Sequence, residues 1–271
     1  MAAHIDDPAN LRGTPADIRA ARRRINPLPT AYRLAVGVVR PALMSLTKRD
    51  WSGQENLPVE GGFLAAANHV THADPLPFAH FLFDAGVDPY FLGKHSIFAI
   101  PLVGSVLRGA QQIPVFRESG QAKDAFDAAV EAVQDGKCIA IYPEGTLTRD
   151  PRGWPMVPKS GAARIALATR CPVIPIGQWG AGDVLGPYGR LPHLFPRKTL
   201  RFRAGPPVNL TDLYGRGVDA EVLGEASRRI IEAITDIVAD LRGQPAPTSR
   251  FDARSAGLPP TGNPNRKERP S

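Results

Sequence analysis

Apolar positions along the chain form two alternating patterns, short unbroken runs and longer stretches at helical spacing, and this alternation predicts an α/β fold. Five short runs read as strands: Gly62 to Ala67, Pro89 to Gly93, Gln112 to Phe116, Cys138 to Tyr142 and Val173 to Gly177. Leu200 to Ala204 is a candidate sixth. Helical patterns fill the intervals at Pro75 to Ala85, His95 to Leu107, Gln121 to Gln134 and Gly161 to Thr169. The clearest periodicity comes last, where Leu223, Ala226, Ile230, Ile234, Ile237 and Leu241 follow steps of three or four and predict a closing helix. The expected architecture is a single α/β domain over 51–242, with a mixed, largely parallel central sheet flanked by helices and no internal repeat.

An amphipathic helical segment is expected before this domain, over 30–50. Between Tyr32 and Leu46 the apolar residues are interrupted by Arg33 and Arg40, and Pro41 would kink or end a helix. At 100° per residue Arg33, Gly37 and Arg40 share one face, with Ala35, Val38, Val39, Ala42 and Leu46 largely opposite. Such a helix suits the interface of a membrane, or packing on its own domain. No stretch has the run of apolar residues that a bilayer-spanning helix needs.

Charge sharpens the picture. The formal net charge is +7, but residues 1 to 50 carry nine Lys/Arg against four Asp/Glu and residues 243 to 271 five against two, leaving the body near neutral. Basicity confined to the flanks fits an anionic membrane surface better than a nucleic-acid groove across the body. The Arg-rich leader at 1–29 and the Pro- and Ser-rich tail at 243–271 are expected to be disordered. Cys138 and Cys171 show no metal-ligand or redox spacing and read as buried free thiols. With no signal-peptide pattern near Met1, the expected location is the cytoplasmic face of the cell membrane, peripherally bound.

The candidate chemistry begins at Ala67-Asn68-His69-Val70-Thr71-His72-Ala73-Asp74-Pro75, where a strand gives way to a helix. A His and an Asp five residues apart can face each other across such a turn. The carboxylate then accepts from one ring nitrogen and leaves the other as a base. By itself the pair reads first as a capped turn, and His69, His72 and Asp74 together are also potential metal ligands. Gln112-Ile-Pro-Val-Phe-Arg117 ends a strand with a guanidinium suited to phosphate. Ile141-Tyr-Pro-Glu144-Gly145-Thr146 ends another in a turn whose glycine lets backbone N–H groups approach an anion, while Glu144 can hold a neighbouring base or hydroxyl.

In order and spacing, Asn68-His69-x-Thr71-x-x-Asp74, Ile113-Pro-Val-x-Arg117, Pro143-Glu-Gly-Thr146 and Pro172-Val-Ile-Pro175 resemble the four motif blocks of the lysophosphatidate (PlsC-type) acyltransferase family. Lys94, Pro101, Gly104 and the Lys159-Ser-Gly161 helix start extend the likeness, which covers about residues 50 to 210. The resemblance implies a general base at His69 oriented by Asp74. It implies an acceptor-phosphate site of Arg117, Glu144, Gly145 and Thr146, with Asn68, Thr71, Lys159, Pro172 and Pro175 in support. It further implies acyl transfer from acyl-CoA or acyl carrier protein to a lysophospholipid, without a bound cofactor or metal, and no G-x-S-x-G nucleophile elbow is present. Leu147 departs from the pattern, standing where many relatives carry Arg, and the next arginine is Arg149. Another lysolipid or cell-envelope lipid as acceptor, a thioester hydrolase and a non-catalytic lipid-binding module are the competing expectations.

Overall fold

The computed structural model describes residues 14–25, 29–115, 122–189 and 191–259. Among the described residues seven strands form one sheet: β1 (Thr47–Ser52), β2 (Phe63–Ala67), β3 (Pro89–Lys94), β4 (Ile113–Val115), β5 (Cys138–Ile141), β6 (Val173–Trp179) and β7 (Lys198–Ala204), in the order β1-β7-β6-β2-β5-β3-β4. The β6–β7 pair runs antiparallel and the other pairs run parallel, giving the mixed, largely parallel sheet expected.

β2 lies at the centre and every residue of it is buried. Its side chains alternate between two cores, as strand geometry requires. Leu64 and Ala66 point to the layer of α6 (Ala122–Gln134), α7 (Gly161–Thr169) and α9 (Ala220–Arg242). Phe63, Ala65 and Ala67 point to α3 (Pro75–Asp84). The final helix crosses β6 closely because Gly177 has no side chain: a Cβ there would stand 2.5 Å from Ile237 Cγ2. Its fully buried positions are Ala226, Ile230, Ile231, Ile234 and Val238, while Leu223, Ile237 and Leu241 are only partly buried, so the buried face is turned toward Val222, Ile231 and Val238 from the one read in the sequence.

Several boundaries differ from expectation for identifiable reasons. The leader contains α1 (Pro15–Ile25), whose Ile18 is fully buried and whose Arg22 guanidinium donates to the carbonyls of Pro58, Gly61 and Gly136. One apolar residue and one buried arginine leave no periodic trace in an Arg-rich segment. α2 spans Thr30–Leu46, after which the chain enters β1, a polar strand at the sheet edge. Charged side chains are a common defence of exposed sheet edges and hide the strand from hydrophobic pattern reading. Arg40, still partly open to solvent, pairs with Asp84 at 2.8 Å, where Arg49 also binds at 3.0 Å. Arg197 donates to the carbonyls of Met44 and Thr47, satisfying the C-terminal end of α2.

The helix expected over His95 to Leu107 is divided into α4 (His95–Phe98) and α5 (Val103–Gly109), with Pro101 and a left-handed Leu102 (φ 63°) between them. A short α8 (Ala181–Val184) follows β6. Beyond Gly243, where disorder was expected, residues 244–259 include a turn and return to the domain, Val157 N–H donating to Phe251 O at 3.0 Å. Among the described residues no helix is long and apolar enough to cross a membrane.

Candidate active site

The turn between β2 and α3 is organised around one carboxylate. Asp74 is completely buried, and its Oδ2 accepts the N–H groups of Val70 (2.6 Å) and Thr71 (2.9 Å) while lying 2.9 Å from His69 Nδ1. Pro75 fits here because the first helical position has no N–H partner to lose. Two main-chain donors fix the carboxylate before the imidazole meets it. Asp74 therefore accepts from Nδ1–H, and Nε2 is the nitrogen left as a base. The His69 side chain keeps 14% of its surface exposed, which leaves this base an approach from solvent.

His69 is held on its other sides by the segment that follows β5. Its ring stacks on Tyr142, with centroids 3.9 Å apart and planes 10° from parallel. Its N–H donates to Glu144 Oε1 (3.0 Å) and its carbonyl accepts from Thr148 N–H (2.6 Å). Glu144 Oε2 accepts from Met156 N–H at 3.0 Å, so this fully buried carboxyl ties the histidine backbone to the 148–157 loop. Burial pushes its pKa up to about 8, against the pull of its main-chain donors at Met156 and His69. Glu144, expected beside the acceptor phosphate, has both oxygens directed at main-chain donors. A role in holding the base fits this geometry.

Gly145 sits at φ +68°, and a Cβ there would meet Lys159 Cδ at 2.9 Å, so glycine admits both the turn and the lysine stem. Lys159 N–H donates to Pro143 O (2.8 Å) and closes the loop, with Thr146 half-buried beside it. Asn68 is locked to β6: its amide donates to Gln178 O (3.1 Å) and its carbonyl oxygen accepts Gln178 N–H (2.8 Å). Thr71 is fully buried in the same turn. Pro172 O accepts from Leu64 N–H and Pro175 O from Gly205 N–H, which makes them supports of β6 beside β2. Arg117 lies outside the described residues. His72 is exposed and meets Tyr188 edge-on, and no group of three or more His, Cys, Asp or Glu among the described residues is arranged to hold a metal.

Sequence reasoning singled out neither Tyr142 nor Gln178. Tyr142 had a signal, since an aromatic directly before Pro143-Glu144 must lie at the end of β5, one strand away from His69. Gln178 had none, because its partner Asn68 is 110 residues away.

The family model described as Acyltransferase matches residues 48–179, the span that holds the His69 turn, the Glu144 loop and β6. A chloroplastic 1-acyl-sn-glycerol-3-phosphate acyltransferase of Brassica napus is 32% identical over 150 residues, covering 54% of this chain and 42% of the relative. The 1-acyl-sn-glycerol-3-phosphate acyltransferase of Borreliella burgdorferi is 32% identical over 126 residues, covering 46% and 48% respectively. The chain thus spans about half the length of these curated relatives. In fold it is similar to the crystal structure of PlsC, the 1-acyl-sn-glycerophosphate acyltransferase of Thermotoga maritima, with a TM-score of 0.61 at 23% identity over 80% of this chain and 81% of that one. The matched span and the relatives' names agree with the four motif blocks, and residues 48–179 of the chain are similar to the Acyltransferase family.

Proposed function

We propose that this protein moves a fatty acyl group from the thioester of acyl-CoA or acyl carrier protein to the free hydroxyl of 1-acyl-glycerol-3-phosphate, giving phosphatidic acid. The observation that carries the reading is the 2.9 Å contact of His69 Nδ1 with an Asp74 carboxylate already fixed by two backbone donors. This arrangement suits a base for an alcohol nucleophile. His69 Nε2 takes the proton as the lipid hydroxyl oxygen attacks the thioester carbonyl carbon. The C–S bond then breaks, the acyl C–O bond remains, and the imidazolium returns the proton to the departing thiolate. Asp74 stabilises the imidazolium in between. No acyl-enzyme is needed.

Arg117 with the Gly145 and Thr146 turn is assigned to the acceptor phosphate, on the strength of the motif resemblance. One observation favours a second acceptor. Leu147 occupies the position where many relatives carry Arg and is 2% exposed, and Arg149 is buried as well. A lysolipid with a different headgroup is the alternative this supports.

The proposed location is an anionic membrane surface on its cytoplasmic side. α2 turns Tyr32 and Arg40 toward the domain and leaves Leu34 (67%) and Val38 (73%) open to solvent, and Leu102, Val103 and Val106 near α5 are exposed as well. α2 packs on α5, since a Cβ at Gly109 would lie 2.7 Å from Ala31 Cβ, so the two apolar faces are neighbours. An unpartnered apolar surface flanked by Arg33 and Arg108 suits the interface of an anionic bilayer.

The test is radiolabelled acyl-CoA offered to purified protein with a panel of lysolipids. Label in phosphatidic acid, abolished by His69→Ala, is the expected result. Label only in an acceptor without phosphate would remove the phosphatidate assignment, and label in free fatty acid regardless of acceptor would make the protein a thioesterase.

A further inference from the structure

The loop 148–157 meets the base from one side and the C-terminal end of α9 from the other. Thr148 N–H holds the His69 carbonyl, and Met156 N–H holds the Glu144 carboxyl that accepts from His69 N–H. Within the loop the Thr148 hydroxyl donates to Trp154 O. On the far side, the Arg242 guanidinium in the last turn of α9 lies against two indoles, 4.0 Å from the Trp154 ring centre and 4.2 Å from that of Trp179 at the end of β6. Its Nη1 also donates to Arg152 O at 3.0 Å. Gly153, at φ +74°, brings the turn of the loop under the same Trp179 ring, where a Cβ would sit 3.5 Å from the indole. Past the helix, Phe251 O takes the N–H of Val157, the residue next to Met156.

We infer that Arg242 is a positioning residue for the His69 base, and that the end of α9 with residues 244–259 latches the 148–157 loop in the geometry acyl transfer requires. Arg242 and Phe251 both lie outside the span matched by the family model, whereas the loop and the two indoles they hold lie within it. The physical case is one of leverage. A guanidinium stacked on aromatic faces with its charge partly withdrawn from water is held by cation–π attraction as well as by the hydrogen bond to Arg152 O. Trp154 is 3% exposed, so the loop cannot move outward at that point without carrying the indole off the arginine. Both polar groups of the His69 main chain follow the loop if it does. A fraction of an ångström at the base is enough to impair an attack that depends on near-contact geometry.

The inference rests on the proposed acyl transfer for its kinetic readout only, and a second readout is independent of it. Arg242→Met retains much of the side-chain volume and loses the charge and the planar fork. In this variant kcat is expected to fall about tenfold with KM for acyl-CoA unchanged, the signature of a displaced base and not of weakened substrate binding. Limited trypsin digestion should show new cleavage after Arg149 or Arg152 in the released loop. Arg242→Lys, which returns a cation to the indoles, should restore most of the loss. A chain ending at Gly243 keeps the stacked arginine and removes the Phe251 strap, and it should show an intermediate effect on both readouts; it also serves as the working variant if Arg242→Met does not fold. Unchanged trypsin resistance in both altered chains would overturn the latch whether or not the protein proves to be an acyltransferase. New cleavage with unaltered kcat would overturn its link to the base.

Discussion

The imidazole of His69 lies flat on the ring of Tyr142, 3.9 Å between centroids and 10° from parallel, while Asp74 grips the same imidazole at its edge. Stacking sets the tilt of the ring and the carboxylate sets its rotation, so the direction of Nε2 is defined by two side chains from two different strand ends. The phenol adds a peculiarity: its hydroxyl is buried with no hydrogen-bond partner among the described residues, and burial raises its pKa well above the ordinary range. Removing that hydroxyl relieves an unpaired polar group, for which about 1–3 kcal/mol is typical. Tyr142→Phe should therefore keep its activity and melt at an equal or higher temperature. Tyr142→Ala should keep substrate binding and lose about tenfold or more in kcat as the ring support disappears. Thermal melts and steady-state kinetics on the pair check both expectations.

Asp74 has two functions that a substitution can separate. Asp74→Asn preserves the size of the side chain and can still accept through one oxygen, but it no longer stabilises a charged imidazolium and can present an N–H to Nδ1. The expected loss in kcat is on the order of 10³- to 10⁴-fold, by analogy with hydrolases whose base depends on such a carboxylate. The circular dichroism spectrum should be unaltered. A loss of less than tenfold would mean that His69 does not rely on Asp74 as a base must.

Glu144 makes the stability of the fold depend on pH in a direction opposite to that of most carboxylates. Its pKa rises from an ordinary 4.5 in the unfolded chain to about 8 in the native one, because burial outweighs the two main-chain donors. The native protein thus keeps a proton that the unfolded chain releases, and stability from this group is fully present below about pH 4.5, declines from there to about 8 and is level above. Denaturant titrations between pH 5 and 9 should show that decline. Glu144→Gln should flatten it, at the cost of about 1–3 kcal/mol at the acidic end, where one of the two N–H groups loses its acceptor.

The turn that joins His69 to Asp74 was legible in the sequence because it is local. Asn68, His69, Thr71 and Asp74 lie within seven positions of one another at a strand-to-helix junction, and the seven-residue span carries its own geometry. Six of the seven strands were legible for the related reason that each carries its own short apolar pattern, unbroken in β2 and β5 and alternating in β7. β1 was not, since Thr-Lys-Arg-Asp-Trp-Ser pairs with β7 along the sheet edge and has no apolar signature to read. The α1 helix escaped because its attachment rests on Ile18 and on three carbonyls that meet Arg22 from loops 36 to 114 residues distant. The same distance in sequence explains Glu144. Its motif was visible, but its direction toward His69 and Met156 follows from the parallel pairing of β5 with β2, and pairing of this kind is set by the whole fold.

Asn68 joins the site to the sheet, and its removal should be felt as lost stability before lost chemistry. Its side chain satisfies both the N–H and the carbonyl of Gln178, and all of these groups are buried. Asn68→Ala leaves two main-chain groups without partners, so a destabilisation of about 2–4 kcal/mol is expected in chemical denaturation. Asn68→Asp retains the acceptor for Gln178 N–H and places a second acceptor against Gln178 O, so it should be at least as destabilising at neutral pH and should recover in part as the pH is lowered.

Adhesion to a membrane should depend on the outward face of α2 and not on His69 and Asp74. Leu34 and Val38 are one turn apart on the same face and make no contribution to the buried core, so Leu34→Asp with Val38→Asp should leave the melting temperature within a few degrees of the parent. Burying two such side chains in the acyl boundary is worth about 3 kcal/mol, and placing two carboxylates there instead adds repulsion from anionic lipid. Sedimentation with vesicles containing phosphatidylglycerol should accordingly fall by about a hundredfold in partition coefficient. His69→Ala should bind the same vesicles as the parent does. If the Asp pair binds undiminished, α2 is a helix that merely happens to be exposed, and the exposed cluster of Leu102, Val103 and Val106 becomes the next surface to alter.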